Sequence, residues 1–457
     1  MMRLSSIDQF LRGSLSRLVF RPWFDRTALN ALGSWVFPAS RLWASAEASG
    51  YDLDRFLAAN PSLGALRLGP VGLVSTLNTV KGQRAEAVEA EDEWNALFFG
   101  ARSARESKLT AAEIRRKRTG RAFLTARLMF AALAHRANVS AVAWDLASEE
   151  TVAQHLDGFL ATPDALFRLP DPLPAVIESN RFRSRIGIEY ALRLSAPVPG
   201  ADSPSFARVF EPSRVPDPPT VIHCHGFGVE PEHLDRMTDE MLPLVSQGVR
   251  VVRVMAPWHG RRRRHGTWSG EPFLARVPLG PAALLSALVQ EVGILVAWAR
   301  ATSAGRVAIG GISLGALTAQ LAAVRMGAWP ADHRPDAVFL AGTSDRLDRI
   351  AFESTLTRAL GLDVALQRAG WTPEKLQHYA PLTNPEGEPA LDPASIIMVL
   401  GAVDDVTPFD GGIKLAERWG IPAENQFHRD QGHFSLSLGL IPEDAPLRRL
   451  VELLRRD

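Results

Sequence analysis

Residues 306–323 constrain what this chain can fold into more than any other stretch. Val307 to Ile312 form a short apolar run rich in β-branched residues, which reads as a buried strand. The run meets a glycine-rich turn and then an alanine-rich series of helix formers. Between strand and helix lies Gly311-Ile312-Ser313-Leu314-Gly315. A turn this sharp forces its serine into a strained backbone conformation, and glycine two positions to either side removes side chains that would collide with it. The Ser313 oxygen is then exposed above a helix N-terminus, which favours developing negative charge. The five-residue pattern alone carries little weight, because about a fifth of one chance match is expected in a chain of this length. The strand before it and the helix after it make it a nucleophile turn.

At 457 residues the chain exceeds a single typical core, so one large domain with an appendage, or two domains, is expected. Apolar residues make up 46% and charged residues 22%, as in ordinary globular proteins. A net charge of +1 gives no pull toward nucleic acid or acidic partners. The lone cysteine, Cys224, excludes an intramolecular disulfide and fits a reducing compartment. Residues 1–21 lack an uninterrupted apolar core followed by a small-residue cleavage site, so no signal peptide is read and a cytoplasmic location is expected. The most apolar long stretch, 281–299, carries Gln290 and Glu291 at its centre; it reads as a buried helix beside a sheet rather than a membrane span.

Residues 1–165 look mostly helical. Apolar spacing of three and four marks 7–11 and 15–20, and further helices are expected at 40–47, 52–59, 88–99, 111–135 and 149–160. Pro38, Pro61, Gly64, Gly69 and Pro70 punctuate them. Arg115-Arg116-Lys117-Arg118, with Arg121 and Arg127, could meet anionic lipid or nucleic acid; a solvated basic face with Leu124, Leu128 and Phe130 inward is the simpler reading. Phe20, Trp23, Phe24, Trp35, Phe37 and Trp43 crowd one short stretch. Packing against the larger domain is the first expectation for them, and a peripheral membrane contact the alternative.

From 166 onward, strands alternate with helices. Segments 185–194 and 205–210 read as an opening antiparallel pair, followed by a proline-rich linker. Strands are expected at 220–225, 249–255, 337–341, 396–400 and 425–428, and helices at 232–247, 281–300, 411–419 and 445–454. Residues 344–390 look helical and loop-like. Such alternation builds a parallel sheet covered on both faces, with reactive groups at the carboxyl ends of its strands.

A serine hydroxyl needs a base, and the base an orienting acid. His433 follows the last expected strand after Gly432 and is free to reach Ser313, whereas His428 lies within that strand. For the acid, Asp404 ranks first, Asp405 second and Asp345 third, each just beyond a strand. An oxyanion needs two backbone donors. The amide of Leu314 is one, and that of Phe227, in the strand-ending His225-Gly226-Phe227-Gly228, is the other. His223, Cys224 and His225 cannot converge on a metal, because consecutive strand residues face opposite ways. No metal or organic cofactor is expected. Arg261 and Arg262, in a run of four arginines, are candidates for a substrate phosphate or carboxylate, beside the plainer reading of a solvated loop.

Gly311 to Gly315, His225 to Gly228, the stretch 401–408 and Gly432-His433 together resemble the α/β-hydrolase superfamily over residues 166–457. Pro257-Trp258-His259-Gly260-Arg261-Arg262, the long apolar helix and Gln431-Gly432-His433-Phe434-Ser435 resemble the branch of alpha/beta hydrolase domain-containing protein 18. Leu314 stands where many members carry Met or Gln, a harmless departure because only its amide is used. The resemblance implies an α/β-hydrolase fold, a mostly parallel eight-stranded sheet with flanking helices and a lid, which is placed at about 344–390; the helical reading of 1–165 makes that region an N-terminal extension to it. The chain order Ser313, Asp404, His433 is the one expected for that fold. In similar hydrolases the acid follows the strand-ending glycine by three residues, with a proline four residues further on; Gly401, Asp404 and Pro408 fit. The expected chemistry is hydrolysis of a carboxylic ester or related acyl compound, small or lipid-like, through an acyl-enzyme. Acyl transfer by the same intermediate and a non-catalytic binding or scaffold role are the alternatives.

Overall fold

Six parallel strands carry the site, and the rest of the chain is packed around them. The structure, a computed structural model, describes residues 22–456 apart from 67–69, 102, 196, 231, 233–240 and 441–442. The helices expected at 7–11 and 15–20, and half of that at 232–247, lie outside the described residues; of the rest, Pro243–Ser246 is helical.

The strands are β1 (Val176–Glu178), β2 (Phe182–Arg183), β3 (Ile188–Leu194), β4 (Phe206–Glu211) and β5 (Thr220–Cys224), then β6 (Arg250–Met255), β7 (Val307–Ile312), β8 (Ala337–Ala341), β9 (Ile396–Gly401) and β10 (Gln426–Arg429). They lie in one sheet in the order β1-β3-β4-β6-β5-β7-β8-β9-β10, with β2 paired to β3. From β6 to β10 all neighbours are parallel, while β4 is antiparallel to both β3 and β6. The eight strands β3 to β10 form the expected sheet, and the short β1 and β2 extend its edge.

Every residue of β5, β7, β8 and β9 is buried. That is why β7, β8 and β9 read as unbroken apolar runs, while β5 buries Thr220 and His223 among its apolar residues: both faces of the sheet are covered. Ile309 and Leu340 look toward one core with Leu288, Val296 and Leu321 from the flanking helices Leu279–Thr302 and Leu314–Arg325. Ala308, Phe339 and Val399 look toward a second core closed by Leu447, Leu450 and Leu454 of the last helix, Ala445–Leu454.

Leu279–Thr302 is long and apolar enough to cross a membrane by length and composition, yet its most apolar window is 89% buried within the fold. At its middle, Glu291 is fully buried and accepts two hydrogen bonds from the Arg262 guanidinium, at 2.7 and 2.8 Å. Arg262 also donates to the carbonyl of Met255 at 2.7 Å. The charge is thus paired and hydrogen-bonded, the condition for a carboxylate to survive in a core.

The N-terminal helices share their packing with the sheet. Trp94 and Phe98, from the long helix Pro70–Phe98, pack with Leu109 and Ala112 against Phe182, Ala191, Phe206 and Met255. Phe37 stacks near Trp268, with ring centroids 4.7 Å apart, and Arg41 forms a two-pronged pair with buried Glu271 at 2.7 and 2.8 Å. The basic run is a solvated face in part, with Arg118 and Arg121 exposed, but not throughout. Arg116 is buried, ion-paired to Glu113 and to Glu232, while Arg115 pairs with Glu89 and Glu93 on the surface. Leu124 and Phe130 point inward as expected, but Leu128 is 55% exposed. Of the aromatic stretch, Phe37 and Trp43 are buried and Trp23 and Trp35 are exposed; Phe20 lies outside the described residues.

Candidate active site

β7 ends at Ile312 and the following helix begins at Leu314, so Ser313 alone makes the turn. Its backbone sits at φ 55° and ψ −118°, a conformation that costs a non-glycine residue about 1–3 kcal/mol and persists only where the surroundings hold it. One such hold is the hydrogen bond from the Ser313 amide to the carbonyl of Ala341, at the end of β8, at 2.9 Å. A Cβ added at Gly315 would lie 2.0 Å from the Cys224 carbonyl oxygen, and one at Gly311 would lie 2.3 Å from the Gly315 carbonyl carbon. The two glycines therefore relieve collisions with each other and with β5, rather than with the serine between them.

His433 opens the helix His433–Gly439, just past β10. Its Nε2 lies 2.8 Å from Ser313 Oγ, and its Nδ1 lies 2.8 Å from Asp404 Oδ2. With Nδ1–H donating to the carboxylate, the Nε2 lone pair faces the serine hydroxyl. Asp404 is itself tightly held. Its Oδ1 accepts the amides of Val406 and Thr407, both at 2.9 Å, and its Oδ2 accepts Thr407 Oγ1 at 2.9 Å. The imidazole is buried, and burial alone would favour its neutral form. The Asp404 carboxylate outweighs this, with Asp25 and Asp405 adding to it, and holds His433 above the ordinary imidazole range.

The other two aspartates go elsewhere. Asp405 accepts a hydrogen bond from Thr355 Oγ1 at 2.8 Å, tying the loop after β9 to the helix Thr355–Leu360. Asp345 sits against Gly411, where burial raises its pKa. His428 is an exposed residue of the edge strand β10, its ring edge-on to Phe409.

Beside the serine runs the loop after β5. A Cβ at Gly226 would lie 3.6 Å from Ser313 Cβ, which brings the Phe227 backbone alongside the nucleophile. The Leu314 amide is the first of its helix and so has no intrahelical partner. Two neutral imidazoles brace the loop. His225 donates through Nδ1 to the Gly226 carbonyl at 2.7 Å and accepts the Ala256 amide at Nε2, at 3.2 Å. His259 donates through Nδ1 to the Pro257 carbonyl at 2.9 Å and accepts the Gly228 amide at Nε2, at 3.2 Å. Burial pushes His225 down to about 4 and His259 to about 3, so both keep the lone pair that these bonds require. Sequence reasoning passed over His259; its signal was the strand-end stretch Pro257-Trp258-His259-Gly260.

The structure does not bring Arg261 and Arg262 to the serine. Arg262 is committed to Glu291 inside the core. Arg261 pairs with Glu91 and lies over the rings of Phe206 and Trp94, at 3.8 and 4.5 Å from their centroids. Both line a cavity of mixed polar and apolar character against the helix Pro70–Phe98, and neither Ser313 nor His433 borders it. Their candidacy as substrate ligands rested on position at a strand end; their carboxylate partners lie far off in sequence. Among the described residues no group of three or more His, Cys, Asp or Glu is placed to hold a metal ion.

A serine thus stands at a strained turn between a parallel strand and a helix, with an aspartate and a histidine brought to it from the ends of later strands. The sequence matches the alpha/beta hydrolase family over residues 221–454, more than half of the chain, and the protein belongs to that family. No curated protein matches it. Solved structures similar to it include the acetyl xylan esterase from Paenibacillus sp. R4, at 15% identity over 67% of this chain and 96% of that one, with a TM-score of 0.45. Acetyl xylan esterase 1 from Thermoanaerobacterium sp. JW/SL YS485 is similar at 17% identity over 65% and 93%, with a TM-score of 0.42. An S-formylglutathione hydrolase from Agrobacterium tumefaciens is similar at 14% identity over 60% and 98%, with a TM-score of 0.39.

Proposed function

We propose that the protein is a serine hydrolase that cleaves a carboxylic ester or related acyl compound through an acyl-enzyme. The observation that carries this reading is the continuous hydrogen-bonded chain from Ser313 Oγ through His433 to Asp404, with both links at 2.8 Å. His433 Nε2 takes the hydroxyl proton as Oγ bonds to the substrate carbonyl carbon. The carbonyl oxygen becomes an oxyanion, accepted by the amides of Leu314 and Phe227. Collapse expels the leaving group, which receives the proton from His433. Water then enters, gives its proton to the same nitrogen and attacks the acyl carbon; the acid departs and Ser313 is restored. Throughout, Asp404 fixes the tautomer and stabilises the transient imidazolium.

A mostly apolar cavity lined by Phe273, Leu274, Val277, Leu347, Ile350 and Leu376 lies beneath the helices of 344–390, and neither Ser313 nor His433 borders it. Its Phe273 packs on the ring of Phe227, with centroids 5.7 Å apart, and this contact between the cavity lining and the proposed oxyanion loop supports an apolar acyl group. The finer kinship with the branch of alpha/beta hydrolase domain-containing protein 18 rests on the motifs at 257–262 and 431–435. An active-site-directed fluorophosphonate should label the wild type and leave Ser313→Ala unlabelled. Equal labelling of the two proteins would remove Ser313 as nucleophile.

A further inference from the structure

The histidine on which this mechanism turns is not held by its own loop alone. The helix Pro22–Ala31 lies against the helix His433–Gly439, and Asp25 projects from the first into the opening turn of the second. Asp25 Oδ1 accepts the amides of Phe434, at 2.6 Å, and Ser435, at 3.0 Å. Its Oδ2 accepts the Ser435 hydroxyl at 2.5 Å, while Ser435 Oγ in turn receives the Gly432 amide at 3.1 Å. The carboxylate therefore controls the backbone on both sides of His433. A Cβ at Gly432 would lie 2.5 Å from Asp25 Cγ, so the close approach requires glycine at that position.

We propose, resting on the hydrolase reading above, that Asp25 is a positioning residue for the reaction, fixing the turn that sets His433 between Ser313 and Asp404. Two physical effects follow. Geometrically, a histidine at the first position of a helix moves with that turn, and a misplacement of about 1 Å at a reacting group can cost on the order of a hundredfold in rate. Electrostatically, the charged groups acting on the imidazole are Asp404 at hydrogen-bond distance, Asp405 from the loop after β9 and Asp25 from the N-terminal helix. Its other neighbours, Ser313, Gly342, Thr407, Phe434 and Leu436, are uncharged. All three charges favour the imidazolium, so removing one lowers the His433 pKa and moves the acid limb of activity to lower pH.

The test uses the full chain with Asp25→Asn, which keeps the shape and removes the charge, and Asp25→Ala, which removes both. With p-nitrophenyl butyrate as substrate, Asp25→Ala should lose roughly tenfold or more in kcat with KM changed less than about threefold, because the turn and not substrate binding is disturbed. Asp25→Asn should retain more kcat, and the acid limb of its kcat/KM profile should lie below that of wild type. The imidazole titration of His433, followed by NMR of histidine-labelled protein, should shift down in the same variant. A well-folded Asp25→Ala enzyme with unchanged kcat would overturn the proposal. If that variant does not fold, Asp25→Asn decides, and an unmoved pH limb and titration would overturn it. The NMR reading needs no turnover, so loss of the hydrolase reading, seen as absent fluorophosphonate labelling at Ser313, is distinguishable from loss of this one.

Discussion

Asp404 and Asp405 are neighbours in sequence with opposite duties. The first closes on His433 and the second on Thr355, so their side chains leave the loop in different directions. Asp404→Asn should lower kcat by at least about a hundredfold, because the imidazole loses its orienting charge and can adopt the wrong tautomer. Asp405→Asn and Asp345→Asn should each cost less than about tenfold in steady-state kinetics on folded protein. Near-normal turnover in Asp404→Asn beside collapse in either of the others would overturn the assignment. A pH profile gives a second check. His433 must be neutral to accept the serine proton, and its neighbours hold its pKa up, so kcat/KM should fall on acidification through a pH above about 6.5, the ordinary imidazole value. An acid limb centred well below that value would contradict the surroundings seen here. That Ser313, His433 and Asp404 come together was legible, because each stands just beyond a strand, in that chain order from Ser313 through Asp404 to His433. Asp25 and the partners of Arg261 and Arg262 were not, since a contact between residues 25 and 435 leaves no mark in either local pattern.

At the level of elements, the turn at Ser313 depends on how closely β5, β7 and the helix Leu314–Arg325 approach one another. Gly315→Ala would drive a methyl group to 2.0 Å from the Cys224 carbonyl, with backbone rather than a flexible side chain in its way. It should lower stability by about 3 kcal/mol or more, or prevent folding outright. Gly226→Ala, whose added carbon meets Ser313 Cβ at an ordinary 3.6 Å, should cost about 1 kcal/mol or less. Chemical denaturation of both variants measures the contrast, and comparable losses would show that the crowding is not specific to the turn. The buried strands were read almost to the residue because a strand covered on both faces is apolar along its whole length. β1 and β2, three and two residues long, are too short to show a period. The helix Pro70–Phe98 was read only from 88 onward, since Gly72, Gly82 and a polar, threonine-containing run obscure its first turns.

Across the whole molecule, the N-terminal helices complete cores that the sheet leaves open. Trp94 and Phe98 cover Phe206 and Met255, Phe37 covers Trp268, and Arg41 neutralises Glu271. A fragment of residues 166–457 would expose those apolar faces and leave a buried carboxylate without its cation, so we expect it to aggregate or to melt well below the full chain in calorimetry. A fragment with the melting temperature and activity of the full chain would instead make the helices an independent appendage. Composition and helical spacing revealed that such a region exists, but not what it covers, because the faces it meets are built from residues hundreds of positions away. The paired Glu291 also matters before any of this is assembled. A carboxylate at the centre of a long apolar segment costs roughly 3 kcal/mol to place in hydrocarbon. While the chain is emerging and Arg262, 29 residues upstream, has not yet closed on it, that charge disfavours partition of Leu279–Thr302 into lipid. A charge that would count against lipid is, in the folded protein, neutralised by the arginine that follows β6.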